Sequence, residues 1–139
     1  MTLLEEFATL AQLLGLGTYS PTVGGSIFLT ELPDAPDTAI AVARYGAGES
    51  DAKLGYDTIN LQYRVRGPNS DYRTVETTAQ QVYDLLHGLH DRVLPGGTWL
   101  VLMVGNQGGP IYLGKDTHNR PEYTVNLRAE LARSTPNRD

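Results

Sequence analysis

Apolar and polar positions alternate most regularly in two stretches of the chain. From Asp57 to Arg66, Ile59, Leu61, Tyr63 and Val65 fall on one side of an extended strand, with Asn60, Gln62, Arg64 and Arg66 on the other. From Glu122 to Leu131, Tyr123, Val125, Leu127, Ala129 and Leu131 alternate in the same way with Thr124, Asn126, Arg128 and Glu130. Both patterns predict strands that turn one face to a core and one face away from it.

Two segments carry helical spacing instead. Leu3, Phe7, Leu10, Ala11 and Leu14 share a helix face, Thr2 and Glu5 have the form of a capping box, and Gly15 and Gly17 end the element, so residues 1–17 read as an N-terminal helical unit. Ser70 is a plausible N-cap for a longer helix reaching about Asp91, with Tyr72, Val75, Ala79, Val82, Leu86 and Leu89 as its buried stripe. Shorter apolar runs predict strands at Ile27–Leu29 and at 38–45. The unbroken run 99–104 predicts a strand buried on both faces. Asn106 to Gly109 reads as a hairpin turn into Ile111-Tyr112-Leu113.

The linking segments have their own signatures. Leu32-Pro33-Asp34-Ala35-Pro36-Asp37 is a stiff connector, because each proline fixes its φ and pushes the preceding residue toward extended backbone. Residues 46–56 hold three glycines with Glu49, Asp51 and Lys53, which predicts an exposed, mobile loop, and residues 134–139 are expected to fray. The order is therefore helix, three strands, helix, three strands. It predicts a single α+β domain over residues 1–139, with a largely antiparallel or mixed sheet of five to six strands and two helices packed on one face.

Composition narrows the function. The chain has 139 residues, no cysteine, and a formal net charge of −5. Disulfides, thiolate nucleophiles and cysteine-held metals are excluded, and bulk attraction to nucleic acid is disfavoured. Met1 to Leu14 carries Glu5 and Glu6 but no basic residue, unlike a secretory signal, and no apolar run approaches the ~18 residues of a membrane span. The expectation is a protein made without export and without a membrane partner.

Candidate chemistry is sparse. His87 and His90 stand three apart on the predicted second helix, a spacing that can aim two imidazoles at one metal, but only Asp84, Asp91 and the distant His118 could add a third ligand, and a polar helix margin is the simpler reading. Gly46-Ala47-Gly48 lacks the third glycine and the following helix of a phosphate-binding turn. Glu49 and Asp51 sit in a Gly-rich loop that offers neither desolvation nor rigidity to split their pKa values. No catalytic, cofactor-binding or metal-binding residue is assigned, and no cofactor is expected. What remains is the polar strand rows, Asn60, Gln62, Arg64 and Arg66 with Thr124, Asn126, Arg128 and Glu130. They read either as the solvent side of an antiparallel sheet or as a protein contact. Nine arginines against two lysines favour the contact, because arginine is enriched and lysine depleted at interfaces.

The segments Leu32 to Val42, Leu61-Gln62-Tyr63-Arg64-Val65-Arg66-Gly67 and Ala79-Gln80-Gln81-Val82-Tyr83-Asp84-Leu85-Leu86, with the Gly-rich loop between the first two, resemble the tail terminator (minor capsid) proteins of long-tailed bacteriophages. The likeness spans roughly Phe28 to Leu131. It implies a structural virion protein of the tail or neck, assembled in the host cytoplasm, without catalysis. Such a protein forms a hexameric ring with copies of itself, caps the tail tube protein and stops its polymerisation, and meets a head-completion or connector protein. DNA is then only the passing genome. In that role Asn60, Gln62, Arg64, Arg66, Arg128 and Glu130 are the expected interface residues, and Glu49, Asp51 and Lys53 face the tube or the lumen. The alternatives are another neck or tail part, such as a connector or tube subunit, or a small ligand-binding or enzymatic domain.

Overall fold

The computed structural model describes all 139 residues. Its elements are α1 (Leu3–Leu13), β1 (Ile27–Leu29), β2 (Ala39–Tyr45), β3 (Tyr56–Arg66), α2 (Tyr72–Leu86), β4 (His90–Val93), β5 (Trp99–Gly105), β6 (Ile111–Lys115) and β7 (Pro121–Ala132). The seven strands form one mixed sheet in the order β1-β2-β3-β7-β5-β4, with β6 also on β7. Only β1 and β2 run parallel; the other neighbours are antiparallel. This is the expected α+β class, with one more strand than the pattern predicts.

Both helices lie on the same side of the sheet. Phe7, Leu10 and Ala11 of α1 and Val75, Ala79, Val82 and Leu86 of α2 join the inward residues of β2, β3, β5 and β7 in one contiguous core of 22 buried side chains. The alternation of β3 and β7 sorts their side chains as expected: Leu61 opposes Leu127 and Tyr63 opposes Val125 beneath the helices. Gly67 lets α2 begin directly beside the end of β3, since a Cβ there would collide with Val75 Cγ2.

Several expectations are corrected. The second helix stops at Leu86 rather than Asp91, because Gly88 takes φ +83° and its N–H, with the C=O of Leu89, pairs to Met103 of β5. Residues 90–93 become β4, so His87 and His90 never share a helix face. The N-cap is Asp71, whose Oδ1 accepts from the Thr74 N–H at 3.2 Å; Ser70 sits at φ +58°, outside the extended region a capping residue needs. Tyr72 and Leu89 are only partly covered, and β5 buries Leu100 and Met103 while leaving Trp99 exposed. Asn106–Gly109 does not reverse the chain. β5 and β6 both run antiparallel to β7 along one edge, and five residues, 106–110, bow outward between them. The hairpin turn lies later, at residues 116–120, between β6 and β7.

α1 is fastened to the far side of the sheet by a charged residue. Glu6 is buried, and its carboxylate accepts from Gly96 N–H at 2.9 Å, Thr98 N–H at 3.2 Å and Thr98 Oγ1 at 2.6 Å. Three donors replace the water that the charge loses on burial. Glu5, in contrast, is only half-buried and serves the predicted capping box: Thr2 N–H donates to its Oε1 at 3.0 Å and its own N–H donates to Thr2 Oγ1 at 3.2 Å, while its Oε2 accepts from the Tyr19 hydroxyl at 2.9 Å. Replacing Glu6 by Ala is expected to destabilise the fold by about 2–3 kcal/mol, since the donors of the 96–98 turn are left without a partner. Glu5→Ala removes half of a capping box and the acceptor of the Tyr19 hydroxyl, which stays in reach of water, and is expected to cost less, about 1–1.5 kcal/mol. Urea denaturation of the two variants checks the ranking.

Candidate interaction surface

The register that buries one face of β3 and β7 sets the composition of the other. Asn60 opposes Arg128, Gln62 opposes Asn126, Arg64 opposes Thr124 and Arg66 opposes Glu122, so the two polar rows lie side by side on the face without helices. The rows are cross-linked within the chain. Gln62 Nε2 donates to Asn126 Oδ1 at 3.1 Å, Asn126 Nδ2 donates to Gln107 Oε1 at 2.7 Å, and Tyr56 donates its hydroxyl to Glu130 Oε1 at 2.7 Å. Asn60 Nδ2 reaches the Gly46 carbonyl at 2.8 Å. A shallow open trough at the centre of the face is lined by Ala43, Tyr45, Gln62, Asn106, Gln107 and Asn126, with Arg44 at its side.

The arginines of the rows divide into two kinds. Arg64 and Arg128 keep 42% and 47% of their side chains exposed and lie 3.8 Å from Glu122 and 3.6 Å from Glu130. The Nε of Arg64 is itself buried and has no hydrogen-bond partner. Arg66 is different. It is buried, and it donates from Nε to the Asp37 carbonyl at 3.0 Å and from Nη2 to the Pro36 carbonyl at 2.6 Å. Arg66 therefore leaves the exposed row and acts as a strut beneath the proline connector, which it holds against the sheet.

A second arginine completes that end of the molecule, and sequence reasoning missed it. Arg120 is buried in the β6–β7 turn and donates to Asp116 Oδ2 at 2.8 Å, Asp37 Oδ1 at 3.1 Å and Asp34 Oδ1 at 3.2 Å. The available signal was the two aspartates of the connector, which need a cation once the prolines stiffen their backbone.

At the opposite end, the 46–56 loop is less free than its glycines suggest. Glu49, Asp51 and Lys53 are all exposed, as expected, but Asp51 Oδ1 accepts from the N–H groups of Lys53 and Leu54 at 2.7 and 2.9 Å, closing an Asx turn. Residues 135–139 do not fray. Arg138 forms a two-pronged pair with Asp57, both contacts at 2.8 Å, and also donates to the Asp51 carbonyl at 3.2 Å, while Asp139 N–H bonds Lys53 O at 3.1 Å. The exposed remainder of the loop is Gly46 to Ser50. The Leu54 and Lys53 N–H groups lower the Asp51 pKa, and the Arg138 guanidinium lowers that of Asp57.

The histidines do separate work. His87 Nδ1 accepts the Gly105 N–H at 2.8 Å and its ring stacks on Tyr83, while His90 Nδ1 lies 2.9 Å from the Gly88 carbonyl. No helix is long and apolar enough to cross a membrane.

The helices thus cover one face of the sheet, and hydrogen-bonded polar side chains form the other. A family model described as bacteriophage tail terminator protein matches residues 12–133, which is most of the chain. The chain belongs to that family of phage tail structural proteins, whose place is the virion. No curated protein matches it.

The Asp57–Arg138 pair carries a pH signature. Asp57 titrates lower in the folded chain than in the unfolded one, so its contribution is whole above the ordinary carboxylate range, near pH 4, and is lost as pH falls through and below it. Denaturation midpoints measured between pH 7 and pH 2.5 should fall with acidification, and Arg138→Ala should flatten that slope while lowering the pH 7 midpoint. An unchanged slope would remove the pair from the acid response.

Proposed function

We propose that copies of this chain form a ring of six that caps the head-proximal end of the tail tube, halts addition of tube protein, and presents a surface to the head-completion or connector protein. The observation that carries this reading is the polar sheet face, ordered by hydrogen bonds within one protomer and covered by neither helix, in a chain of the tail terminator family. The proline connector lies over Arg66, the 106–110 segment reaches Asn126 and Thr124 is buried, while Arg64 and Arg128 stay half-exposed. Side chains already held in one conformation lose little entropy on association.

Within this reading, Asn60, Gln62, Arg64, Arg128 and Glu130 form a wall of the ring that meets the other virion proteins. The exposed arginines are each matched by a glutamate, so the wall has no free row of cations to grip the phosphates of a passing genome. Glu49 and Lys53, in the loop at one end of the same sheet, face the tube protein or the lumen. Arg66 is a structural strut and not a contact.

Tube protein polymerised with and without substoichiometric amounts of this chain tests the role. Shortened tubes bearing a cap at one end in electron micrographs are the expected result. Lengthened tubes that incorporate the chain along their wall would make it a tube subunit instead. Arg64→Ala should weaken capping while leaving the melting temperature within a few degrees of the parent; a loss of stability with capping intact would assign Arg64 to the fold alone.

A further inference from the structure

The sheet has two apolar margins, and they differ in kind. β6 pairs with β7 alone, and on this strand Ile111, Tyr112 and Leu113 are 40%, 47% and 50% exposed in succession. Tyr72 of α2 extends the patch, its ring 5.9 Å from that of Tyr112. At the opposite margin, β1 pairs with β2 alone, and its outer side is taken only at its two ends, where the Ser26 and Ile27 N–H groups donate to the Thr18 carbonyl at 2.8 and 2.9 Å beside the Tyr19 bridge and the Glu31 N–H donates to the Leu29 carbonyl at 2.8 Å. A groove of about 380 Å³ runs along it, lined chiefly by Tyr19, Pro21, Phe28, Leu29, Leu32 and Pro33. β4, the remaining edge, is guarded by His90, Asp91 and Arg92, the polar guarding that natural edge strands use against pairing. β6 has only Lys115 at its end.

The two margins match in level and direction. Across the sheet, Ile111 aligns with Thr124, Arg64, Ala41 and Phe28, and Tyr112 aligns with Tyr123, Val65, Ile40 and Ile27. β1 runs with β2, and each step from β2 to β3, β7 and β6 reverses direction, so β6 is antiparallel to β1. A second copy displaced sideways in the plane of the sheet, with its helices on the same side, therefore brings its β6 antiparallel to the β1 of the first. The free charges match as well: Glu31 lines the β1 groove and Lys115 ends β6, and neither forms an ion pair within the chain.

We propose that the subunits of the ring join by strand addition, β6 of one copy entering the β1 groove of the next, so that one continuous sheet runs around the ring with every helix on one surface and every Arg64 and Arg128 on the other. This rests on the ring reading above and supplies its contact. Because the β6 patch and the β1 groove are different surfaces, the joint is head-to-tail, the kind that closes into a cyclic ring when its rotation permits. The twist of the sheet supplies curvature.

The absence of cysteine makes the joint directly testable. Paired residues on adjacent antiparallel strands have Cα atoms about 4.5–5.5 Å apart, within reach of a disulfide. Single variants Phe28→Cys or Leu29→Cys, mixed with Ile111→Cys or Leu113→Cys and oxidised in the presence of tube protein, should give a covalent dimer in at least one combination. The matching double variant should give a ladder ending at the closed ring on a non-reducing gel. Asp84→Cys, on the outward face of α2, should give none with either β1 variant. In parallel, Leu113→Asp should lower the ring fraction by roughly tenfold or more at an unchanged melting temperature, since the residue is half-exposed. Rings visible in micrographs but without a cross-link in any combination, or a ladder that stops at the dimer, would overturn the strand joint and leave the ring standing. Failure of the parent chain to form rings even on tube protein would overturn both.

Discussion

The β3–β7 ladder is the constraint on which the rest of the molecule depends. Eleven consecutive pairs, from Tyr56 with Ala132 to Arg66 with Glu122, run without a slip. Side chains alternate with a period of two, so a shift of one residue would bring Asn60, Gln62 and Arg64 under the helices and push Leu61 and Tyr63 into water. The irregularities of the sheet fall elsewhere, in β5 near Leu100 and in β6 near Tyr112, on the other edge of β7. The central pair sets which face is core, and the flanking strands adapt to it.

Each end of that ladder is closed by an arginine. Arg120 gathers Asp34, Asp37 and Asp116 beside the start of β7, with Arg66 under the same connector, while Arg138 clasps Asp57 near the start of β3. The charges come from segments far apart in the chain, so these clusters tie loops and terminus to the sheet rather than strands to each other. Between them, the polar face is held by amide and hydroxyl contacts, which keep it ordered without making it apolar.

Much of this was legible from side-chain periodicity. The strands containing Ile59–Val65 and Tyr123–Leu131, the capping box at Thr2 and the stripe Val75–Ala79–Val82–Leu86 are local patterns, and the structure places them as their spacing implies. What was not legible depends on partners distant in sequence. His87 to Asp91 extends the helical spacing through Leu89, but a backbone ladder to β5 outcompetes a helix that would have to continue through Gly88. Asn106 to Gly109 has turn chemistry, yet β7 is long enough to pair on one edge with both β5 and β6, so the chain detours instead of reversing. Of the polar rows, alternation identified the face but could not separate Arg64, left half-exposed, from Arg66, which the connector covers. Glu6 and Arg138 were unreadable for the same reason, because their partners lie some 80 to 90 residues away.

The detour between β5 and β6 has a consequence of another kind. Residues 106–110 bow out between two strands that are each anchored on β7, and Gln107, Gly108 and Gly109 take the positive φ values that an outward bend requires. Both feet of this bow are fixed independently of its length. Additional residues there would incur only the slowly growing cost of a longer closed loop, without shifting the register of either neighbour. It is the place where this fold can be lengthened, by evolution or by design, with the sheet left as it is.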